Sequence, residues 1–157
     1  MTFAALHRTA SCTMRVAASP AEVFPLLCPV RERDWIPTWE AEVLHSRSGL
    51  AEPGCVFLTR PSEGRRVAWV VTRHEPSRAI AFAVFHGDLV ETLAIELAPV
   101  NGETELVWSR AYTGLEPSGN DWIEANVPAK VEARLASLEG LLRSYTAGVP
   151  GERDART

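Results

Sequence analysis

The sequence predicts an α+β fold: seven antiparallel strands in one sheet, two short helices after the first strand, and a long C-terminal helix packed on that sheet. Three observations lead there. Between Pro128 and Ala147, the residues Val131, Leu135, Leu138, Leu142 and Tyr145 recur at intervals of four and three, the spacing of a helix with one apolar stripe. Gly87-Asp88 and Asn101-Gly102 are two-residue hairpin signals that bracket a long strand. Six further runs with strand character are separated by clusters of Gly, Pro, Ser and Asp. A helix from Pro128 to Ala147 would be roughly 30 Å long. No single hairpin covers that stripe, so a broad sheet must receive it.

The elements follow in order. Arg8 to Ala17 reads as the first strand, with Cys12, Met14 and Val16 on one face. Ser19, Pro20 and Glu22 supply a cap, a first-turn proline and an early acid, which predicts a short helix through Leu27 that Cys28-Pro29 ends. Val30 to Thr38 is mostly polar, yet it carries Trp35 and Ile36 and leads to Trp39. Its tryptophans either plug the end of the core or form a lid over a cavity, since loops at a core's mouth often carry function. The remaining strands are Glu40–Ser46, Cys55–Arg60, Arg66–His74, Ala79–His86, Leu89–Val100 and Glu103–Leu115, with turns at Ser48-Gly49, Pro53-Gly54 and Ser62-Glu63-Gly64. Pro128 suits the first turn of the last helix, and Gly148 with Pro150 suits its end. Residues 1–148 form one domain, and residues 149–157 read as a flexible tail.

Composition narrows the function. A chain of 157 residues that is 46% hydrophobic and 23% charged has the makeup of a globular domain with a real core. Its net charge of -4 argues against a nucleic-acid partner, and the basic pairs Arg31, Arg33 and Arg65, Arg66 read as solvated loops. Cys12, Cys28 and Cys55 show no CxxC pairing, which fits free thiols in a reducing cytoplasm. His7, His45, His74 and His86 lack the close spacing of a metal site, so neither metal nor cofactor is expected. No segment approaches a membrane span, so no stable membrane insertion is expected; a homodimer is left open.

The two tight turns let a strand register be written from sequence. Val84 then faces Glu91, Phe82 faces Leu93 and Ile80 faces Ile95, while Leu97 faces Leu106, Ile95 faces Trp108, Leu93 faces Arg110 and Glu91 faces Tyr112. Alternation gathers Ile80, Phe82, Val84, Leu93, Ile95, Leu97, Leu106 and Trp108 on the side that meets the helix. A four-residue connection before the fifth strand sets Trp69 opposite Val84. His86, Glu91, Arg110 and Tyr112 fall on the same inner side. Charged groups there must be paired or reached by water, so they form either a self-satisfying ion pair or the orienting patch of a small-molecule site.

Local text adds a resemblance. Ala18-Ser19-Pro20-Ala21-Glu22-Val23-Phe24 is similar to an "sPaeVf" opening motif, Pro53-Gly54-Cys55-Val56-Phe57 to a "pG..f" third strand, and Glu103-Thr104-Glu105-Leu106-Val107-Trp108 to a "gTrvtW" seventh. Together with the element order, from about Thr9 to Ala147, they resemble the helix-grip fold of the SRPBCC or START-like superfamily. That superfamily includes lipid carriers, hormone and allergen-type binders, polyketide aromatase/cyclases, ring-hydroxylating oxygenase domains and ATPase activators. The resemblance implies a curved sheet around the long helix with a hydrophobic cavity between them. It transfers no catalytic residue, and the paired histidines and carboxylate of an iron oxygenase are lacking.

The expected ligand is a small hydrophobic, aromatic or lipid-like molecule. Its expected lining is Trp35, Trp39, Trp69, Phe82, Val84, His86, Glu91, Leu93, Trp108, Arg110, Tyr112, Val131 and Leu135. The alternative is a polyketide cyclase or aromatase, in which His86 or Glu91 would move protons and Arg110 would stabilise an enolate oxygen. A third expectation is a protein-binding module of the ATPase-activator kind, using the outer sheet or the Arg31 to Trp39 segment.

Overall fold

In the computed structural model, the described residues are 2–60 and 65–148; the turn expected at Ser62 to Gly64 and the tail expected after residue 148 lie outside them. The strands are β1 (His7–Val16), β2 (Ala41–His45), β3 (Val56–Thr59), β4 (Val67–Glu75), β5 (Ala79–Phe85), β6 (Leu89–Val100) and β7 (Glu103–Gly114). The helices are α1 (Pro20–Val23), α2 (Pro117–Asn126) and α3 (Ala129–Thr146), with 3-10 turns at Phe24–Leu27 and Glu32–Asp34. All seven strands form one antiparallel sheet in the order β1-β7-β6-β5-β4-β3-β2. Strands β2 to β7 therefore run as a meander, and β1 closes on the far side of β7.

The strand pairs expected from the turns are present. Val84 lies opposite Glu91, Phe82 opposite Leu93, Glu91 opposite Tyr112 and Leu93 opposite Arg110, and Trp69 faces Val84. The turn chemistry accounts for this. Asn101 and Gly102 both have positive φ, as a type I′ turn demands, whereas at Gly87-Asp88 only Gly87 does, as type II′ demands. Irregularities between Val43 and His45 and between Val71 and Arg73 break the register locally, the kind of feature that bends and twists a sheet.

The inner face packs as the alternation implied. Ile80, Phe82, Val84, Leu93, Ile95, Leu97, Leu106 and Trp108 are buried with Met14, Val16 and Phe57, and α3 adds Val131, Leu135 and Leu142. Leu138 and Tyr145, on the same helical stripe, are half-buried against this core. Helix α3 also covers the exposed edge of β1. The Glu132 carboxylate accepts from the Ser11 N–H at 3.0 Å and the Glu139 carboxylate from the Arg15 N–H at 3.2 Å. Two acids, two helical turns apart, thus satisfy the free N–H row of an edge strand that would otherwise invite pairing with another chain.

Helix α2 is absent from the sequence-based expectation. No element is expected between Leu115 and Pro128, and Pro117, Ser118, Gly119 and Asn120 have little helix propensity, which tertiary contacts here override. Gly119 sits so close to β6 that an added Cβ would lie 1.9 Å from the Asp88 carbonyl oxygen. Asn120 accepts from the Leu6 N–H at 2.9 Å and donates to the Ala4 carbonyl at 2.9 Å, tying the segment before β1 to α2. Gly119→Ala must therefore push backbone from backbone. It is expected to cost about 1–3 kcal/mol, read as a lowered thermal midpoint; an unchanged midpoint would show that α2 is free to shift.

Candidate functional site

The inner faces of β6 and β7 carry charge where the core is otherwise apolar. Glu91, with its side chain only 2% exposed, accepts from the Arg110 Nη1 group and shares a 2.9 Å hydrogen bond with His86 Nε2. Tyr112, next along the same face of β7, is hydrogen-bonded to Arg110 through its side chain. Helix α2 closes this end: the Trp122 ring lies 6.4 Å from the His86 ring, nearly parallel to it, and 5.5 Å from the Tyr112 ring. The four polar residues picked out by alternation therefore form one connected cluster. Trp122, which the sequence reading missed, is its wall.

The protonation pattern follows from those contacts. Burial pushes the Glu91 carboxyl up, but Arg110 and His86 outweigh it and hold the group below the usual carboxylate range. Burial likewise opposes the charge on Arg110, and Glu91 and Tyr112 restore it. The Tyr112 phenol is pushed up to about 12, chiefly by burial, so it stays protonated.

A second buried carboxyl, that of Glu32, lies within electrostatic reach of Arg110. Glu32 begins the 3-10 turn after Cys28, its N–H bonds the Cys28 carbonyl at 2.9 Å, and its own carbonyl accepts from Trp35 and Ile36. The residue is 9% exposed. Burial pushes its carboxyl up to about 8, only partly offset by the Arg110 charge it faces. From sequence this segment reads as mostly polar, with tryptophans that plug the core or form a lid, and Glu32 is not among the expected site residues. Cys28, Glu32 and Ile36 fall four residues apart, but one short turn gives too little length for that spacing to stand out as a period.

The remaining expected residues sit elsewhere in the core. Trp39, Trp69 and Phe82 form an aromatic cluster with Phe57, in which Phe57 and Trp69 stack at 5.4 Å and Trp39 meets Trp69 edge-on at 6.0 Å. Trp35 is buried and donates to the Leu26 carbonyl at 2.8 Å, and Trp39 donates to the Pro29 carbonyl at 2.8 Å. Both rings are thus tied to the chain before them, in keeping with core plugs rather than free lid residues. Val84 and Leu93 bridge the two regions, since Val84 pairs with both Trp69 and Glu91 and Leu93 with both Phe82 and Arg110. Val131 and Leu135 face them from α3 as buried apolar residues.

Two donors in this interior have no partner among the described residues: Trp108 Nε1 and Arg110 Nε are both fully buried and unbonded. They stand at alternate positions on the inner face of β7. Buried N–H groups in native proteins nearly always find an acceptor, so these two stand out as donors that the described residues leave unsatisfied. Asp88 Oδ1 is also unbonded, but its other oxygen already holds Ser118 at 2.9 Å and Arg65 at 3.1 Å in a link between the β5–β6 turn and α2.

A depression of about 430 Å³ lies on the opposite, outer face of the sheet, lined by Thr9, Ser11, Ala81, Ala83, Thr92 and Ala111. Thr72, Ser109, Phe82, Leu93 and Arg110 also border it, so its polar groups are chiefly hydroxyls. Among the described residues no cluster of ligating side chains could hold a metal, the three cysteines are free, and no helix is long and apolar enough to cross a membrane.

Comparison with known proteins agrees with this architecture. A family described as polyketide cyclase / dehydrase and lipid transport matches residues 7–143. The chain belongs to that family. No curated protein matches it. Among solved structures, Mll3558 from Rhizobium loti is 18% identical, with 92% of this chain and 99% of that one covered and a TM-score of 0.65. DynU16, encoded in the dynemicin biosynthetic locus, is 17% identical at a TM-score of 0.65; 89% of this chain aligns, spanning 47% of that protein. Norcoclaurine synthase from Thalictrum flavum, in complex with dopamine and hydroxybenzaldehyde, is 12% identical with 94% and 91% covered and a TM-score of 0.67. At such identities the likeness speaks for the fold, the helix-grip arrangement expected from the motifs. Family and fold together support hydrophobic ligand binding or cyclase activity in this chain.

Proposed function

We propose that the protein binds a small hydrophobic, aromatic or lipid-like molecule in its interior, between the sheet and α3, oriented by the Glu91 cluster. The observation that carries this reading is the pair of open donors, Trp108 Nε1 and Arg110 Nε, inside an otherwise apolar shell. A few fixed polar groups in an apolar enclosure are how small-molecule sites hold orientation. The relatives are consistent with it, since the family is described in terms of polyketide cyclisation and lipid transport and norcoclaurine synthase holds dopamine and hydroxybenzaldehyde. Three free thiols fit a reducing compartment, so the reading includes a cytoplasmic location.

The test is native mass spectrometry and crystallography of protein purified without denaturation from its own host. A bound apolar compound with an acceptor atom on Trp108 Nε1 supports the proposal, and Trp108→Phe should then weaken it about tenfold by removing one hydrogen bond in a dry site. A Trp108→Phe variant with unchanged affinity for that compound counts against it.

A cyclase or aromatase reading is favoured by one feature, the bond from Glu91 to His86 Nε2. A carboxylate that fixes one ring nitrogen leaves the other to take or give a proton, with Arg110 and Tyr112 beside it to steady negative charge. His86→Ala would then abolish turnover of a bound polyketide while leaving its affinity intact. Equal loss of both would assign His86 to binding alone.

A further inference from the structure

We infer that the β2 edge of the sheet pairs antiparallel with the β2 edge of a second copy of this chain, about a two-fold axis at Val43. This contact does not depend on the interior site. The sheet has two edge strands, β1 and β2, and the chain treats them differently. At β1 the Glu132 and Glu139 carboxylates take up outward N–H groups. At β2 no side chain of the described residues bonds the backbone, so the outward N–H and C=O groups form an open template for another strand. Leu44, 53% exposed, and Leu50, 49% exposed, stand beside it as apolar surface that a second copy would cover. The loop carrying Leu50 is already stiff. The Glu52 carboxylate accepts from the Arg47 N–H at 3.0 Å and the Ser48 N–H at 2.8 Å, and the Ser46 hydroxyl donates to the Leu50 carbonyl at 2.6 Å. A pre-set loop loses little freedom when it is covered.

Charge selects the second copy as the occupant, and the irregularity in β2 sets the register. Val43 and His45 lie opposite consecutive residues of β3, Phe57 and Val56, so Leu44 is an extra residue with no opposite number. It resets the alternation and puts Glu42 and His45 on one face of the sheet, one place to either side of Val43. In an antiparallel pair centred on Val43, Glu42 of each copy then falls opposite His45 of the other, where an imidazole N–H donates to a carboxylate. Without the extra residue Glu42 would meet Leu44, and the complementarity would vanish. Glu40 and Arg47, just beyond the strand ends, continue the pattern of acid at the entry and base at the exit. All four are exposed, and none has an ion-pair partner among the described residues. The contact is isologous, so each attractive pair occurs twice. A strand of five residues buries little area, which makes the dimer a weak one.

Sedimentation velocity of the full chain from about 5 µM to about 500 µM spans the range of a small interface. Wild type should pass from monomer to dimer within it. His45→Glu sets acid opposite acid at both pairs and should weaken association at least about tenfold, and Glu42→Lys, which removes both acceptors, should weaken it as well. An equal mixture of the two variants should recover it, because the new lysine of one chain then faces the new glutamate of the other while the second pair stays native. The double variant Glu42→Lys/His45→Glu should recover it on its own. Both positions are exposed, and melting curves confirm that each variant is folded. Wild type that stays monomeric throughout overturns the inference, including the case in which the edge serves a strand of another protein. Association unchanged in both single variants places the contact on another surface and overturns it too. So does loss in the single variants with no recovery in the mixture, since an antiparallel two-fold pairing must exchange those partners.

Discussion

Arg110→Met is expected to lower stability by about 3–5 kcal/mol, the loss typical of leaving one member of a buried ion pair alone. Glu91 is 2% exposed at its side chain and has only His86 besides Arg110 to offset its charge. Urea denaturation near neutral pH measures the loss. The deficit should narrow in acid, where the stranded Glu91 takes up a proton. In wild type that carboxyl titrates below its ordinary value, so it supports the fold above that value and the support fades as pH falls through the depressed one. Adding Glu91→Leu to Arg110→Met removes the stranded charge, and the double variant should return to within about 1–2 kcal/mol of wild type. A double variant that folds normally but no longer holds ligand would show that the pair serves the site more than the fold. A single Arg110→Met change costing less than about 1 kcal/mol would mean that water already reaches Glu91.

Such a pair could be placed from sequence because the two hairpin turns leave little freedom. Asn101-Gly102 and Gly87-Asp88 impose the backbone twist that two-residue loops require, and a slip of one residue would have turned Glu91, Arg110 and Tyr112 outward. The stripe of α3 was legible for the same reason: its period is local, and Gly148, with a φ of 69°, ends it as a C-terminal glycine should. Features that depend on distant contacts were not legible. Helix α2 exists because Gly119 meets Asp88 and Asn120 ties down residues 4 to 6, and neither contact leaves a mark on the propensity of residues 117–126. Asp88 read as a hairpin residue, and only the arrival of Ser118 and Arg65 makes it a buried link. Glu32 sits between two arginines in a stretch that looks solvated, and a single 3-10 turn is too short for periodicity to reveal its inward face. The open donors of Trp108 and Arg110 were beyond sequence altogether, because an unmade hydrogen bond is a property of coordinates.

Glu32→Gln is expected to stabilise the protein at neutral and mildly alkaline pH and to leave it unchanged in acid. The carboxyl keeps its proton up to about pH 8 in the fold, against an ordinary value of 4.5. Between those values the unfolded chain has released a proton that the native state still holds. Stability therefore falls as pH rises through this window and levels off above it, the reverse of the trend that Glu91 imposes at lower pH. At pH 7 the penalty has an upper bound of about 3 kcal/mol, so the glutamine variant should melt as much as about 10 °C higher there. At about pH 4 both proteins carry a neutral side chain, and their midpoints should coincide. Parallel melting curves across the whole range would mean that Glu32 titrates normally and reaches solvent. Should the curves diverge as expected, the chain keeps an acid whose removal by one conservative change makes the fold more robust. Stability alone then gives no reason to retain it, and a local cost of that kind is tolerated at functional positions more readily than at core ones.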